Sequence, residues 1–314
     1  MKRPKFRFRH SCQDESIHKP ASSFWRVPVS YVRGLFILET AVLKRVQATV
    51  DEILLVIDRQ TKACGVNYYL FYGSALGAVR HHGFIPWDDD ADIVLFREDF
   101  ERLKAYWAAH PVEGYFYQDI STDSGYHIKI TKIRKLGTAY AEPQVKDCDM
   151  HHGMFVDIFV LDDYIKNSFW RRVGEYITMF DYNAERQYLP ENKKARVVYQ
   201  ITNKLFKSGK IFRYWYGHIF PKLKKDDTMC SDIASFTNSH RYDFKREWLG
   251  TPKYVPFDDI SLPIPANAGE CLKVCYGDYM TPPPKEQQIS NHKLYYISFD
   301  REYHPGMASN AEEM

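Results

Sequence analysis

None of the six cysteines, at positions 12, 64, 148, 230, 271 and 275, stands in a C-x-x-C pair. Cys271 and Cys275 would share a helix face, but no second pair at zinc spacing answers them, so free thiols of a reducing compartment are expected instead of a structural zinc. No window approaches the ~20 apolar residues that a membrane-spanning helix needs. Basic residues open the chain without an apolar stretch behind them, so no secretory signal is expected there. A net charge of only +3, from 43 basic and 40 acidic residues, provides no general polyanion-binding surface and argues against a nucleic-acid partner. The sequence also has no internal repeat. These absences leave a cytoplasmic protein as the expectation.

What is present is ordinary in bulk. Hydrophobic residues make up 45% and charged residues 26% of 314 residues, enough for one elaborated domain. Aromatics at 16% are high. An aromatic-rich core is the first reading of them, and platforms for a base or sugar ring the second. Lys2, Arg3, Lys5, Arg7 and Arg9 alternate with Phe6 and Phe8. The first reading of this arm, residues 1–30, is a flexible solvated tail; the second is a peripheral contact with an anionic membrane surface at its inner face.

Leu35, Leu38, Val42, Val46, Val50, Ile53 and Ile57 recur at steps of three and four, which predicts one apolar face on a long helix. Gly65 is a helix stop, and Val66 to Phe71 reads as a buried strand. Tyr72 to Arg80 reads as a tight turn entering a short helix. Further strands are expected at Ala91–Phe96, Ile128–Ile130 and Phe155–Leu161, with helices from Arg97 and over Arg171–Gln187. Leu205–Leu223 is aromatic and basic, with ambiguous periodicity. Pro252, Pro256, Pro263, Pro265 and Pro282–Pro284 are expected to preclude long regular elements near the end. This order predicts an α+β fold: a mixed sheet flanked by helices, with a helical insertion and a proline-rich C-terminal segment. The expected division is a core over 46–165, an insertion over about 166–250 and a return segment over 251–300, the three forming a domain over 31–300, with a tail at 301–314.

The chemistry concentrates in Trp87-Asp88-Asp89-Asp90-Ala91-Asp92-Ile93-Val94-Leu95-Phe96. Side chains alternate along an extended chain, so Asp88, Asp90 and Asp92 are expected on one face. Two carboxylates ~6 Å apart repel by about 3 kcal/mol at an effective dielectric near 20. A solvated acidic loop is the plain explanation, but these acids sit at the mouth of an apolar strand, where solubility explains them poorly. A cation is expected between them, and hard oxygen ligands favour Mg²⁺ or Mn²⁺. Gly73-Ser74 lies just upstream, where glycine admits a ligand close to the backbone and the Ser74 hydroxyl can donate to a phosphate oxygen.

The stretch from Tyr72 to Ile93 resembles the signature of the LicD and fukutin-related phosphotransferases of the nucleotidyltransferase superfamily. The resemblance continues through Arg97–Leu103, Lys132–Lys135, Val156–Phe159 and Tyr276–Met280, covering roughly residues 46–295. It implies a nucleotidyltransferase-like fold. It also implies transfer of phosphocholine, ribitol phosphate or glycerol phosphate from a CDP-activated donor to a glycan or lipid-linked glycan, with release of CMP. A third carboxylate from a later strand is implied as well, and Asp157 fits; the alternative for Asp157 is a turn-capping residue. Asp88, Asp90, Asp92 and Asp157 are thus the expected metal ligands and catalytic residues. Gly73, Ser74, Arg80, His81, Trp87, Lys132 and Arg134 are the expected substrate contacts. His82, His151 and His152 read as structural residues. The sequence departs from the family pattern at Ser74 and Ala75 (usually Thr and Leu), His82 (often Lys), Val160 (usually Pro) and Gln288 (often Arg). None removes a carboxylate; they leave the acceptor and the donor head group open. A metal-dependent nucleotide-sugar glycosyltransferase and a non-catalytic glycan-binding protein of the same fold are the competing readings.

Overall fold

A computed structural model of the chain describes residues 40–128, 130–185, 193–206, 209–232, 243–290 and 292–310. The basic arm, Leu35, Leu38, Cys12, Lys129, Gln187 and the last four residues lie outside the described residues.

Helix α1 (Thr40–Cys64) buries Val46, Val50, Ile53 and Ile57, the stripe that its periodicity predicts. It stops at Gly65, whose φ of 66° is a conformation glycine adopts without strain. Of the expected strand only β1 (Tyr69–Leu70) is regular, although Tyr68 and Phe71 beside it are also buried. Tyr72, at φ 44°, turns the chain straight into α2 (Tyr72–His81). After β2 (Asp92–Phe96) and α3 (Arg97–Ala109) come β3 (Tyr115–Gln118), β4 (Thr131–Lys135), β5 (Ala139–Ala141) and the long β6 (Phe155–Ile165).

These strands assemble in the order β1-β2-β6-β4-β3. β2 and β6 run parallel, and their neighbours are antiparallel. The sheet is covered on both faces, which explains why β2 reads as a continuous apolar run. Ile93 and Leu95 join the cluster formed with α1 and α3. Val94 joins a second cluster with Tyr69, Phe71, Phe159, Leu161, Phe244, Cys271 and Cys275. The expected mixed sheet flanked by helices is the observed architecture.

The rest of the chain returns to the same sheet. Helices α4 (Ser168–Glu185), α5 (Lys193–Phe206) and α6 (Lys210–Tyr214) pack on one another. The ambiguous period after Leu205 is a physical feature: α6 widens into a π-turn at Trp215–Ile219 and then tightens into a 3₁₀ turn at Phe220–Lys222. The expected insertion is not purely helical, because β7 (Lys225–Ser231) pairs with the C-terminal half of β6, and β8 (Asp243–Lys245) pairs with β7. After α7 (Arg246–Leu249), strands β9 (Lys253–Phe257) and β10 (Ile260–Ile264) form a hairpin, where irregular chain was expected. A two-stranded ribbon is all edge, so Pro256 and Pro263 can each turn their missing N–H side outward. Helix α8 (Ala268–Tyr276) then packs on α2, and β11 (Tyr296–Ser298) pairs with β5. The strand expected at Ile128–Ile130 begins instead at Thr131.

Candidate active site

The parallel register of β2 and β6 sets Asp92 directly opposite Asp157. Backbone hydrogen bonds lock the junction: Asp157 N–H donates to the Ala91 carbonyl at 2.9 Å and Phe71 N–H to the Asp92 carbonyl at 2.9 Å. Asp88, Asp89 and Asp90 lie in the loop between α2 and β2, not in the strand. That loop is held at two points: Asp88 N–H donates to the Ile85 carbonyl, and Gln47 Nε2 of α1 donates to the Asp88 carbonyl at 2.8 Å. Buried Ser74 accepts a hydrogen bond from Asp92 N–H at 2.8 Å, tying the start of α2 to the start of β2.

Asp90, Asp92 and Asp157 each bring a carboxylate oxygen within 4.8 Å of the other two. Asp88 stands beside them, and Asp90 is the charge that perturbs its carboxyl most. The space it occupies depends on Gly73, because a Cβ there would lie 2.9 Å from Asp88 Oδ2. The electrostatics are those of acids that need a counter-charge. Burial, then Asp90 and Asp89, push Asp88 well above the usual carboxylate range. Burial, then Asp90, Asp157 and Asp88, do the same to Asp92. Asp90 is raised to about 6 by burial, with His292 opposing and Asp89 and Asp157 adding to it.

A divalent cation fits this set. An Mg²⁺ ion takes carboxylate oxygens at about 2.1 Å, so that neighbouring ligands on one ion stand about 3 Å apart. The three oxygens of Asp90, Asp92 and Asp157 are already grouped near that scale, all hard donors, and the burial and like charges that raise Asp90 and Asp92 are what a cation would oppose.

A second layer lies against Asp90. Asp89, on the other side of the alternating chain, is buried; His292 Nδ1 bonds Asp89 Oδ1 at 3.0 Å and the Tyr140 hydroxyl donates to Asp89 Oδ2. His292 Nε2 lies 3.6 Å from Asp90 Oδ2. Although burial disfavours charge on both, Asp90 and Asp89 raise His292 well above its ordinary value, and His292 holds Asp89 below its own. The His292 ring therefore stands between two acids that favour its charged form. Sequence reasoning missed His292, Asp89 and Tyr140. His292 comes from the return segment, 203 residues from its partner, and no local pattern marks it.

The remaining expected contacts are placed as follows. Lys132 of β4 is buried; it pairs with Asp157 and lies 3.4 Å from the centre of the Phe155 ring. Burial pulls it below the ordinary lysine range despite Asp157. Arg134, two residues along the same strand, donates to Gln118 Oε1 and to the Gly153 carbonyl. Arg80 donates to His81 Nε2 at 2.9 Å and to the Tyr279 carbonyl at 2.7 Å. The His81 ring meets Trp87 edge-on, and Trp87 packs on Leu76, Ile85 and Leu272. Arg80, His81 and Trp87 thus form one group where α2 meets the C-terminal segment. His152 is buried and bonded to the Cys148 carbonyl, and the His151 ring lies against Phe116.

Residues 65–159 match the family model described as LicD/FKTN/FKRP, nucleotidyltransferase domain. Over 244 residues the chain is 26% identical to the lipopolysaccharide cholinephosphotransferase LicD of Haemophilus influenzae, covering 72% of this chain and 87% of that protein. A shorter stretch of 38 residues is 53% identical to the human ribitol 5-phosphate transferase FKRP, covering 12% of this chain and 8% of that protein. An uncharacterised protein of Rickettsia prowazekii is 38% identical over 63 residues, 20% of this chain and 23% of its own. The matched span runs from the Gly65 helix stop through α2, the aspartate loop and β2 to Phe159 of β6, and so contains all four expected metal-binding carboxylates. Residues 65–159 are thus similar to the nucleotidyltransferase domain of the LicD/FKTN/FKRP family, and the carboxylate site lies within that similarity.

Proposed function

We propose that this protein is a divalent-metal-dependent phosphotransferase that moves a phospho-alcohol group, phosphocholine-like or ribitol or glycerol phosphate, from a CDP-activated donor to a glycan hydroxyl. The likeness to a lipopolysaccharide cholinephosphotransferase along most of both chains supports a phosphotransferase of glycan modification. The observation that carries the reading is the meeting of Asp90, Asp92 and Asp157 beside the start of α2.

Asp90, Asp92 and Asp157 would hold the cation, with Asp88 adjoining. A cation bound there would neutralise phosphate charge and polarise the P–O bonds. The N–H groups of Gly73 and Ser74 precede the first hydrogen bond of α2, from Ala75 N–H to the Phe71 carbonyl, in the first turn of a helix, where a diphosphate can serve as acceptor. The Ser74 hydroxyl, which accepts from Asp92, retains its own hydrogen to donate. A carboxylate of the cluster takes the proton of the acceptor hydroxyl. The hydroxyl oxygen bonds to the phosphorus that bears the alcohol, the bond from that phosphorus to the bridging oxygen breaks, and CMP leaves with that oxygen.

Incubation with Mg²⁺ and a panel of CDP-alcohols, followed by nucleotide chromatography, tests this. CMP formation that depends on acceptor glycan and is lost in chelator supports it. Release of a nucleoside diphosphate from nucleotide-sugars, with no turnover of any CDP-alcohol, overturns it.

A further inference from the structure

Charge is divided unevenly along this chain. Residues 166–225, which hold α4, α5 and α6, contain 14 basic and 4 acidic residues, a net of +10. All other residues together carry 29 basic and 36 acidic residues, a net of −7. Within residues 193–225 there are ten basic residues and no acidic one. The region is also the most openly apolar part of the described surface. On α5, Val197, Val198, Ile201 and Leu205 are each at least half exposed, while Thr202 and Phe206 on the other side are buried. The neighbouring helices add Phe169 at 66% and Tyr214 at 60% exposure.

At 100° per residue, Val197, Val198, Ile201 and Leu205 span one arc of about 100° on α5, with exposed Lys204 beside it and exposed Arg196 further round on the same side. An apolar stripe at this spacing, normally turned to a core, here faces outward with cations along one side of it and a strongly basic segment around it. Such a helix belongs in the boundary between lipid headgroups and acyl chains, with its apolar side chains inserted and its cations among anionic headgroups. Exposed aromatic side chains on the neighbouring helices, Phe169 and Tyr214, suit the same layer. A protein partner or a second copy would have to answer this charge with an acidic apolar face, whereas an anionic bilayer supplies both properties at once.

We infer that the α4–α5–α6 insertion is a membrane-docking surface that binds anionic phospholipid bilayers peripherally. No described helix is long and apolar enough to cross a membrane, so the contact is one of lying on the surface. It is independent of the phosphotransfer chemistry, because none of its residues belongs to the carboxylate site.

Flotation of the full chain with vesicles of phosphatidylcholine alone, or mixed with phosphatidylglycerol, tests the inference. Binding to the mixed vesicles only, weakened by added salt, is expected. At about 1 kcal/mol per surface charge, Lys204→Glu should weaken it by roughly tenfold or more. The double variant Ile201→Ser/Leu205→Ser should also weaken it by at least tenfold with an unchanged circular dichroism spectrum. Three results overturn the inference: no binding to mixed vesicles; binding that survives these variants but is lost in Arg7→Gln/Arg9→Gln, which assigns it to the basic arm; or a wild-type dimer in sedimentation equilibrium that the Ser variant turns into a monomer while vesicle binding is unaltered.

Discussion

Asp92 and Asp157 face each other as register partners at the starts of two parallel strands, β2 and β6, with Asp90 completing a triangle of carboxylates. Burial and like charges hold Asp92 far above its ordinary pKa, so in the absence of metal this acid opposes folding when it ionises. Asp92→Asn should therefore abolish turnover, by about 10³-fold or more, while the melting temperature in chelator stays level or rises. Activity assays and thermal melts with and without Mg²⁺ check this. A large fall in melting temperature would make Asp92 structural.

The adjacent Asp89 predicts the opposite sign. Its carboxylate is buried and paired with His292 and Tyr140. His292→Ala leaves that charge without its partner, which costs about 3–5 kcal/mol. Urea denaturation in chelator should show a loss of this size, in contrast to the neutral or stabilising Asp92→Asn.

Two glycines of α2 separate site from fold. A Cβ at Gly73 meets only the end of the Asp88 side chain, whereas at Gly77 it meets the Gly83 carbonyl of the backbone. Gly73→Ala should fold with little change in melting temperature but lose about tenfold or more in Mn²⁺ affinity, since a carboxylate is displaced. Gly77→Ala should lose soluble expression or melt markedly earlier. Calorimetric Mn²⁺ titration and thermal melts distinguish the two.

Asp51 on α1 predicts a pH dependence away from the site. Burial first, then Asp258 and Asp259, raise its pKa to about 7, against partial opposition from Lys44. The folded protein thus keeps a proton that the unfolded chain releases from about pH 4 upward, so this contribution to stability is full below that pH and is lost as pH rises through 7. Asp51→Asn, which cannot ionise, should raise the melting temperature at pH 8 and leave it nearly unchanged at pH 4.5. Melting curves at the two pH values test the sign.

The parts of this architecture legible in the sequence are those set by local rules. The stripe on α1, the apolar runs of β2 and β6, and the aspartate loop between an apolar turn and an apolar strand all follow from periodicity and unsatisfied charge. What local rules cannot give is the pairing. Nothing near Asp157 states that it stands opposite Asp92, and nothing near His292 states that it sits between Asp89 and Asp90. β4 begins three residues later than its apolar pattern suggests, because it buries Lys132 and Arg134, cations that make a core strand look like surface. Ser74 fits the same lesson: in sequence it is a phosphate donor, and in the fold it is also the acceptor that sets Asp92 in place. The proline-bearing hairpin β9–β10 looks irregular in sequence because a proline's cost depends on whether its strand is an edge, which only the assembled ribbon reveals.

The central claim is that the triangle of Asp90, Asp92 and Asp157 is a cation site, and anomalous diffraction from crystals soaked in Mn²⁺ tests it most directly. A Mn²⁺ peak bonded to oxygens of all three carboxylates is the predicted result. A crystal with Mn²⁺ bound only elsewhere, for example on Asp89 and His292, and with Lys132 still the sole cation at Asp157, would contradict it.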